Sequence, residues 1–492
     1  MLRLCTLALP MLGGCATVNP RDDYQRVDEH VSQSAGIARP ERPEDAIAAR
    51  QMTDERLAGG ISVGEAMELC LLNNPRVRAA YLNVGVARAD FVQAGLFQNP
   101  ALSISLRLPD GGGLSNLELS VAQNIADLWL LPARKRAAEG NLQRETLGVA
   151  RAVSIAVLDT RSTYFAALAA DRELEIACEN RDLAQQLVDA AQTRRTAGVG
   201  SEIDVNLART ELMQTEITEQ RATLAAFESR RQLAQLLGLW ESPDTLVLTD
   251  VLPDAPDWSP TDALLLDVAG RCRLDLVAAD FVVAATAARV EQEKLSVVSD
   301  VELGVSFERS ERGRRGDRPW LADTLWASAE AGDLSAPSLR PREKLPTNTV
   351  LGPTLSFELP IFDQNQAQIA RAELLHEAAK ANQAALMLEV THETRGALRR
   401  ARTAWDLARY YRDNLLPLLQ TNLELSREAY RGGKLSVLAV LEAQKSLLVT
   451  RGRYVESLRD SAIALTDLEK AVGLPVDRLM QLPPAATVNE PN

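Results

Sequence analysis

Cysteine and histidine, the side chains that most often carry nucleophilic or metal chemistry, are scarce in this chain. Its 492 residues include five cysteines and three histidines. The histidines and the internal cysteines are His30, His376, His392, Cys70, Cys178 and Cys272. Their wide spacing predicts neither a metal site nor a disulfide framework, and the sequence contains no nucleotide-binding loop or Gly-x-Ser-x-Gly elbow. We therefore expect no enzyme activity, no cofactor and no metal, and we interpret the internal cysteines as small buried residues.

One cysteine, Cys15, stands where a covalent modification is expected. Arg3 gives a positive start, a short apolar segment spans residues 4–12, and two glycines precede the cysteine. This pattern resembles the lipobox of bacterial lipoproteins, in which the cysteine thiol carries the lipid; the alternative is a signal peptide that happens to contain a cysteine. We predict a signal peptide over residues 1–14 and lipidation of Cys15. Because Ala16 rather than aspartate follows, the pattern resembles outer-membrane sorting.

The rest of the chain contains the same helical pattern twice. The segment 198–239 matches the segment 433–474 at nine positions without a gap, where chance predicts about three matches. The pairs are Gly198/Gly433, Ser201/Ser436, Val205/Val440, Ala208/Ala443, Leu212/Leu447, Thr215/Thr450, Leu233/Leu468, Gly238/Gly473 and Leu239/Leu474. The first six advance in steps of three and four, which is the heptad spacing of helices in a left-handed supercoil. We interpret the chain as an internal duplication of a helical unit.

Upstream, the offset between the two copies changes. The segment 79–96 matches the segment 278–295, whereas Ser120 matches Ser356, at a larger difference in residue number. The second copy therefore carries an insertion between Leu295 and Ser356. Charge, glycine and proline in that segment predict a long solvated loop over about 308–349.

Each copy also contains two segments in which apolar and polar residues alternate. Such alternation predicts a β-strand with one apolar and one polar face. The apolar positions are Leu102, Ile104, Leu106 and Leu108, then Leu117, Leu119 and Val121, then Val301, Leu303, Val305 and Phe307, and finally Leu351, Leu355, Phe357 and Leu359. Four strands are too few to close a barrel, but their pattern and length suit a wall between lipid and water.

Long helices are predicted on both sides of the first strand pair. One helix begins near Ile61 and runs to about Gln98. After Pro132 no proline occurs before Pro243, so we predict one helix over residues 133–196, about 95 Å long. A glycine-containing turn and a return helix to Leu237 follow.

The second copy repeats this arrangement. We predict a helix over residues 364–431 with a kink at Pro417, a turn at Gly432 and Gly433, and a return helix to Val472. The composition agrees, since 46% of the residues are hydrophobic, 25% charged and only 4% aromatic, as is typical of helical bundles. The net charge of −13 and the lack of a basic patch argue against a nucleic-acid partner.

These patterns predict the domain organisation. The expected segments are a signal peptide (1–14), an extended lipid-anchored leader (15–60), a first repeat (61–240), an inter-repeat linker (241–262), a second repeat (263–474) and a C-terminal tail (475–492).

Several motifs together resemble the TolC family of outer-membrane efflux channels, over about 61–475 and in the family's order. They are the lipobox, Asn99-Pro100-Ala-Leu-Ser103, Phe357-Glu-Leu-Pro-Ile-Phe-Asp363, Gly198-x-x-Ser201-x-x-Asp204-Val205-x-x-Ala208, Gly433-x-x-Ser436-x-x-x-Val440-x-x-Ala443 and the two Gly-Leu ends. The resemblance implies a mainly α-helical trimer with a β-barrel portion. Its helical hairpins would form a helical barrel through the periplasm, and three times four strands would close one 12-stranded outer-membrane β-barrel. Residues 362–366 are similar to a segment common in the heavy-metal efflux branch.

The same resemblance implies a function and partners. The chain would be the lipid-anchored outer-membrane exit duct of a tripartite efflux system, served by a periplasmic adaptor and an inner-membrane pump of the RND type. The alternative is a periplasmic coiled-coil lipoprotein with a structural or scaffolding role. The amphipathic hairpins distinguish the two, because a scaffold has no use for them.

By motif, the resemblance also implies site residues. Asp204, Tyr430 and Glu442 occupy positions that form the constriction network in the family; ordinary solvated helix charges are the alternative for both acids. The expected adaptor-docking tip consists of Gly198, Val199, Ser201, Gly432, Gly433 and Ser436. Helix capping explains the two serines equally well, and tight-turn geometry explains the glycines. The sequence departs from the family at Leu435 and Ala439, where an arginine and an acid are common.

Overall fold

The computed structural model describes most of the chain. The described residues are 16–40, 46–107, 116–198, 201–240, 246–311, 329–330, 332, 347–432, 434–435 and 437–481. The predicted signal peptide, Cys15, Val199, Gly433 and Ser436 lie outside these residues, as do most of the predicted loop and residues 482–492 of the predicted tail.

Helices make up most of the described chain. Up to the end of the first repeat they are α1 (Arg21–Ala35), α2 (Ala46–Ala58), α3 (Val63–Asn73), α4 (Pro75–Ala94), α5 (Asp127–Thr196) and α6 (Glu202–Leu236). Beyond it they are α7 (Asp262–Cys272), α8 (Leu274–Leu295), α9 (Gln366–Tyr410), α10 (Leu416–Arg431), α11 (Val437–Val472) and α12 (Val476–Met480). The helix predicted over residues 133–196 is confirmed within α5, which has 70 residues, and the two predicted return helices correspond to α6 and α11. Within the described ranges, none of these helices is both long enough and apolar enough to span a membrane.

The helix boundaries agree with the internal duplication. α3 and α7 begin and end at equivalent positions of the two copies, and α6 and α11 also begin at equivalent positions. The residues before α3 and α7 act alike: the Ser62 hydroxyl accepts a hydrogen bond from the Glu65 N–H, and the Thr261 hydroxyl accepts one from the Leu264 N–H. Both serve as side-chain N-caps, which satisfy an otherwise unpaired donor of the first turn.

A glycine ends each repeat in the same way. Gly238 and Gly473 have φ angles of 69° and 80°, in the left-handed region that favours glycine. A Cβ atom would lie 2.5 Å from the Asn73 carbonyl oxygen at Gly238 and 3.0 Å from the Cys272 carbonyl oxygen at Gly473. Asn73 and Cys272 are the last residues of α3 and α7. Both repeats therefore close through the same backbone approach, which explains the predicted Gly-Leu ends.

The leader predicted as extended over residues 15–60 is instead partly helical, so that prediction was wrong. α1 carries Val27 and Val31 one turn apart, and both are buried in an apolar cluster of residues from other helices. Because the segment is mostly polar, these two apolar residues, one helical turn apart, did not lead to the prediction of a helix. Asp23 of α1 is also buried, and its carboxylate accepts two hydrogen bonds from Arg88 of α4, at 2.5 and 2.7 Å.

Proline interrupts two of the predicted helices. The helix predicted over residues 61–98 breaks between α3 and α4, where Asn74 has an extended conformation before Pro75. Proline lacks an N–H and disfavours a helical residue before it, which explains the break. Near Pro417, a π-helical turn at Tyr411–Leu415 separates α9 from α10. The distortion predicted at Pro417 is therefore present just before it.

Four antiparallel strands form one sheet in the order β1-β2-β3-β4. They are β1 (Ala101–Arg107), β2 (Asn116–Asn124), β3 (Val301–Glu311) and β4 (Thr347–Phe357). All four predicted strands are confirmed, while the ends of the loop predicted over 308–349 belong to β3 and β4. The pairing of β2 with β3, which joins the two hairpins, was not predicted.

The chain forms two compact units. The first contains Met1–Phe91, Glu139–Ala284 and Glu377–Asn492, and the second contains Val92–Ala138 and Ala285–His376. Two apolar clusters lie in the first unit, one around Trp405 and Tyr164 and the other around Val27 and Tyr81. The second unit holds the four-stranded sheet.

Candidate functional site

The predicted apolar positions of the strands lie on one face of the sheet, except Leu108, which is outside the described residues, and Leu359, which follows the end of β4. Residues directly opposite each other on paired strands share a face. Leu102 pairs with Val121, Val121 with Val305, and Val305 with Pro353. These side chains are largely exposed, with 65% of Leu102 and 53% of Val305 accessible to solvent. The sheet therefore presents one continuous, uncovered apolar face that runs across all four strands.

The opposite face of the same sheet is polar. One cross-strand row contains Ser103, Ser120, Ser306 and Gly352, and a neighbouring row contains Glu118 and Glu308. Arg107 donates a hydrogen bond to Glu118 at 3.3 Å and forms an ion pair with it. A sheet that is apolar on one side and polar on the other is what the wall of a water-filled pore in lipid requires.

The turn between α5 and α6 places Asp204 in a capping box. Gly198 has a φ angle of 75°. Three positions later, the Ser201 N–H donates to the Asp204 carboxylate at 3.0 Å, and the Asp204 N–H donates to the Ser201 hydroxyl at 3.1 Å. Hydrogen bonds that the Ser201 backbone N–H and, secondly, the Ser201 hydroxyl donate to the Asp204 carboxylate hold the pKa of Asp204 below its usual range. Both residues thus cap α6.

In the corresponding turn between α10 and α11, Gly433, the equivalent of Gly198, lies outside the described residues. The preceding Gly432 has a φ angle of −77°, and its N–H donates to the Glu428 carbonyl at 3.0 Å. The position equivalent to Asp204 in the second copy is occupied by Ala439. The second turn therefore lacks the acidic half of the capping box.

A cavity of about 640 Å³ brings together two of the three predicted constriction residues. Asp204 of α6 and Glu442 of α11 both line it, among mainly aliphatic side chains of α5, α6 and α11. Tyr430 of α10 does not line this cavity, and 48% of its surface is exposed. The structure thus associates the two acids in one site and leaves Tyr430 outside it.

The same cavity contains an ion pair that sequence reasoning missed. The Lys445 ammonium group of α11 lies 2.6 Å from a carboxylate oxygen of Glu211 of α6. Glu211 follows Asp204 by one heptad, a spacing that signals a shared helix face. Its pairing with a lysine in the other copy of the repeat has no local signal. Among the described residues, no ion pair involves Glu442, so its charge is available to the cavity.

One family model and several known proteins are similar to this chain. A family model described as outer membrane efflux protein matches residues 66–239 and 265–474. The cobalt-zinc-cadmium resistance protein CzcC of Cupriavidus metallidurans is 24% identical over 423 residues, which cover 85% of this chain and 91% of that protein. Protein CyaE of Bordetella pertussis is 25% identical over 423 residues, which cover 82% of each chain.

Solved structures share the fold at lower sequence identity. The CmeC outer membrane channel of Campylobacter jejuni matches with a TM-score of 0.63 and 14% identity, covering 96% of this chain and 97% of that chain. The outer membrane protein VceC of Vibrio cholerae matches with a TM-score of 0.61 and 16% identity, covering 84% of this chain and 96% of that chain.

Proposed function

The chain belongs to the outer membrane efflux protein family, and we propose from this that three copies of it form the exit duct of a tripartite efflux system. Substrates would pass through this duct across the outer membrane. A periplasmic adaptor and an inner-membrane pump, of the RND type, would deliver the substrate. The relative whose name refers to cobalt, zinc and cadmium resistance supports assignment to the heavy-metal branch.

The sheet carries this proposal. It has four strands, one exposed apolar face and two outer edges, on β1 and β4, that pair with no other described strand. Unpaired backbone groups cannot remain in a lipid environment, so the edges must pair with further strands. Three copies supply twelve strands, a number that closes a barrel. A periplasmic scaffold would not explain why the sheet has an exposed apolar face and two unpaired edges.

We also propose that Cys15 is lipidated and that the tip residues keep the roles that the family resemblance implies. α1 begins at Arg21, so a short segment would connect the lipid to a helix that packs within the first unit. Asp204 and Glu442, which line one cavity, would form the constriction with Tyr430. The residues that would contact the adaptor are Gly198, Val199, Ser201, Gly432, Gly433 and Ser436.

The test is planar-bilayer conductance of the detergent-purified protein, after native mass spectrometry has established its stoichiometry. We expect a trimer that forms discrete, mostly small, cation-preferring channels. A monomeric protein, or a trimer that gives no current even after its tip is altered as described below, would contradict the duct and favour the scaffold.

The carboxylates of Asp204 and Glu442 are expected to make the channel more permeable to cations than to anions. Asp204→Asn combined with Glu442→Gln removes six negative charges from a trimer while retaining side-chain shape, and an asparagine oxygen can still accept the Ser201 hydrogen bond. Because rings of carboxylates attract cations, the double variant should show a lower cation-to-anion permeability ratio, measured as a reversal potential in a salt gradient. An unchanged ratio would identify both acids as ordinary solvated charges.

The Lys445–Glu211 ion pair is expected to hold α6 and α11 together. Exposed ion pairs contribute about 0.5 kcal/mol each, so Lys445→Met in three copies should shift the ratio of open to closed channels roughly tenfold towards open. Lys380→Met is the matched control, because the Lys380 ammonium pairs with Glu377 within α9 at 2.9 Å. Single-channel open probability measures the effect. Equal open probabilities for the two variants would show that the Lys445–Glu211 ion pair does not stabilise the closed channel.

A further inference from the structure

The two outer edges of the sheet carry exposed apolar residues. On β1 these are Leu102, Ile104 and Leu106; the others are Phe357, the last residue of β4, and Leu359 and Ile361, which follow it. Each of the six is more than half exposed. Both sets lie in the same compact unit. Under the proposed function, the edge of β4 meets the edge of β1 in the next copy, which leaves the register of that contact to be determined.

The internal duplication relates the two hairpins position by position. In the first hairpin Val121 pairs with Leu102, and in the second Phe357 pairs with Val301. The difference in residue number between Ser120 and Ser356 is the same as that between Val121 and Phe357. Likewise, the difference between the segments 79–96 and 278–295 is the same as that between Leu102 and Val301. The two sequence offsets thus reproduce the observed pairing. Any contact between β2 and β3 can therefore be translated into a contact between their equivalents, β4 and β1.

The β2–β3 pairing is the contact between the first copy of the unit and the second within one chain. There Val121 pairs with Val305 and Gln123 with Leu303, while the Ile125 N–H donates to the Val301 carbonyl at 2.8 Å. The same two offsets convert the first two contacts into Phe357 opposite Leu106 and Leu359 opposite Ile104. The third contact does not carry over, because the Ile361 N–H donates to the Leu359 carbonyl of its own chain at 2.8 Å. We infer that β4 and the residues after it pair with β1 of the next copy in this register.

Side-chain chemistry supports the register. Both of these pairs match an apolar residue with an apolar residue. On the other face, Ser356 lies opposite Arg107 and Glu358 lies opposite Ser105. The apolar face therefore continues across the boundary between copies without interruption. A shift by one position would place apolar side chains opposite polar ones along the whole boundary.

Backbone hydrogen bonding supports it as well. The Glu358 N–H donates to the Asp300 carbonyl at 3.3 Å, towards β3. Because donors alternate sides along a strand, the N–H groups of Phe357 and Leu359 point towards the open edge. Pro360, which has no N–H and so cannot donate to a further strand, follows at the end of this ladder. On the other side, Pro353 cannot donate to the edge, which limits the ladder in that direction.

Disulfide cross-linking tests the register, which rests on the proposed trimer. In the inferred register Ser105 and Glu358 form a non-hydrogen-bonded pair with Cα atoms about 4.5 Å apart, within disulfide range. Within one chain, the two outer strands are about 14 Å apart, so a disulfide between them must join two copies. We expect Ser105→Cys with Glu358→Cys to give covalent dimers and trimers on oxidation, at least tenfold more than the background of either single variant.

The matched control moves one cysteine by two positions on the same face. Ser103→Cys with Glu358→Cys places the Cα atoms about 7–8 Å apart, beyond disulfide range, and should cross-link at background level. Efficient cross-linking of the control, or none for Ser105→Cys with Glu358→Cys in a protein that native mass spectrometry shows to be trimeric, would overturn the register and leave the exit duct standing. Unmodified protein that forms no trimer would overturn both.

Discussion

A Val305→Arg variant is expected to yield almost no assembled channel. Val305 lies midway along β3, on the apolar face, and pairs with Val121 and Pro353 on the neighbouring strands. Arginine on the lipid-facing side of a barrel strand costs about 2–4 kcal/mol near the middle of the bilayer. Three copies would multiply this to about 6–12 kcal/mol per trimer, which exceeds the stability that most assemblies can lose.

Ser306→Arg is the matched control for this experiment. Ser306 follows Val305 directly, but its side chain lies on the polar face, in the row of Ser120 and Gly352. The same added charge should therefore be hydrated in the pore, and the variant should assemble. The measurement is the fraction of protein recovered as detergent-resistant trimer from the outer membrane. Equal recovery of the two variants would show that the apolar face does not contact lipid.

Asp23→Ala is expected to release α1 from the other helices of the first unit. The Asp23 side chain is fully buried and accepts two hydrogen bonds from Arg88. Removal of one partner from a buried ion pair costs about 3 kcal/mol or more, because the other charge is left without compensation. A loss of about 3 kcal/mol corresponds to roughly a hundredfold greater opening of the helix. Hydrogen exchange of the α1 amides, measured by mass spectrometry, should accelerate by that factor.

The neighbouring residue supplies the control for α1. Asp22 lies in the same first turn of the helix, carries the same charge and is exposed. Asp22→Ala therefore makes an equal change in charge and in interaction with the helix dipole, which is worth less than about 1 kcal/mol. Its α1 amides should exchange nearly as in the unmodified protein. Similar acceleration in both variants would mean that the buried ion pair does not hold α1.

Much of the fold could be predicted from the sequence because its signals are local and repeated. The alternation of apolar and polar residues in Leu102–Leu106 is a property of neighbouring positions, and it predicted a strand wherever it occurred. The heptad steps around Val205 and Val440 predicted paired helices for the same reason. Two copies of each signal made the prediction stronger, since a pattern at matched places in both halves cannot be an accident of composition.

The site could be predicted only in part. Motif positions identified Asp204 and Glu442, and both line one cavity. The Ser201-x-x-Asp204 spacing is the signature of a capping box and could have indicated that the Asp204 carboxylate caps its own helix, whereas nothing in the sequence indicated that Tyr430 lies outside that cavity. The lysine that joins α11 to α6 was also missed. Such features depend on which side chains of two helices face each other, and periodicity defines a face without naming its partner.

The repeated unit could thus be read from the amino-acid order alone: its two strands, its long helices and the glycine that ends each copy. The way in which the units combine became visible only in the folded chain. There β2 lies beside β3, Asp23 is buried against Arg88, and Lys445 pairs with Glu211. Secondary structure follows from interactions between near neighbours, whereas these contacts join residues far apart in the chain, whose charges and shapes match only once the helices and strands have packed.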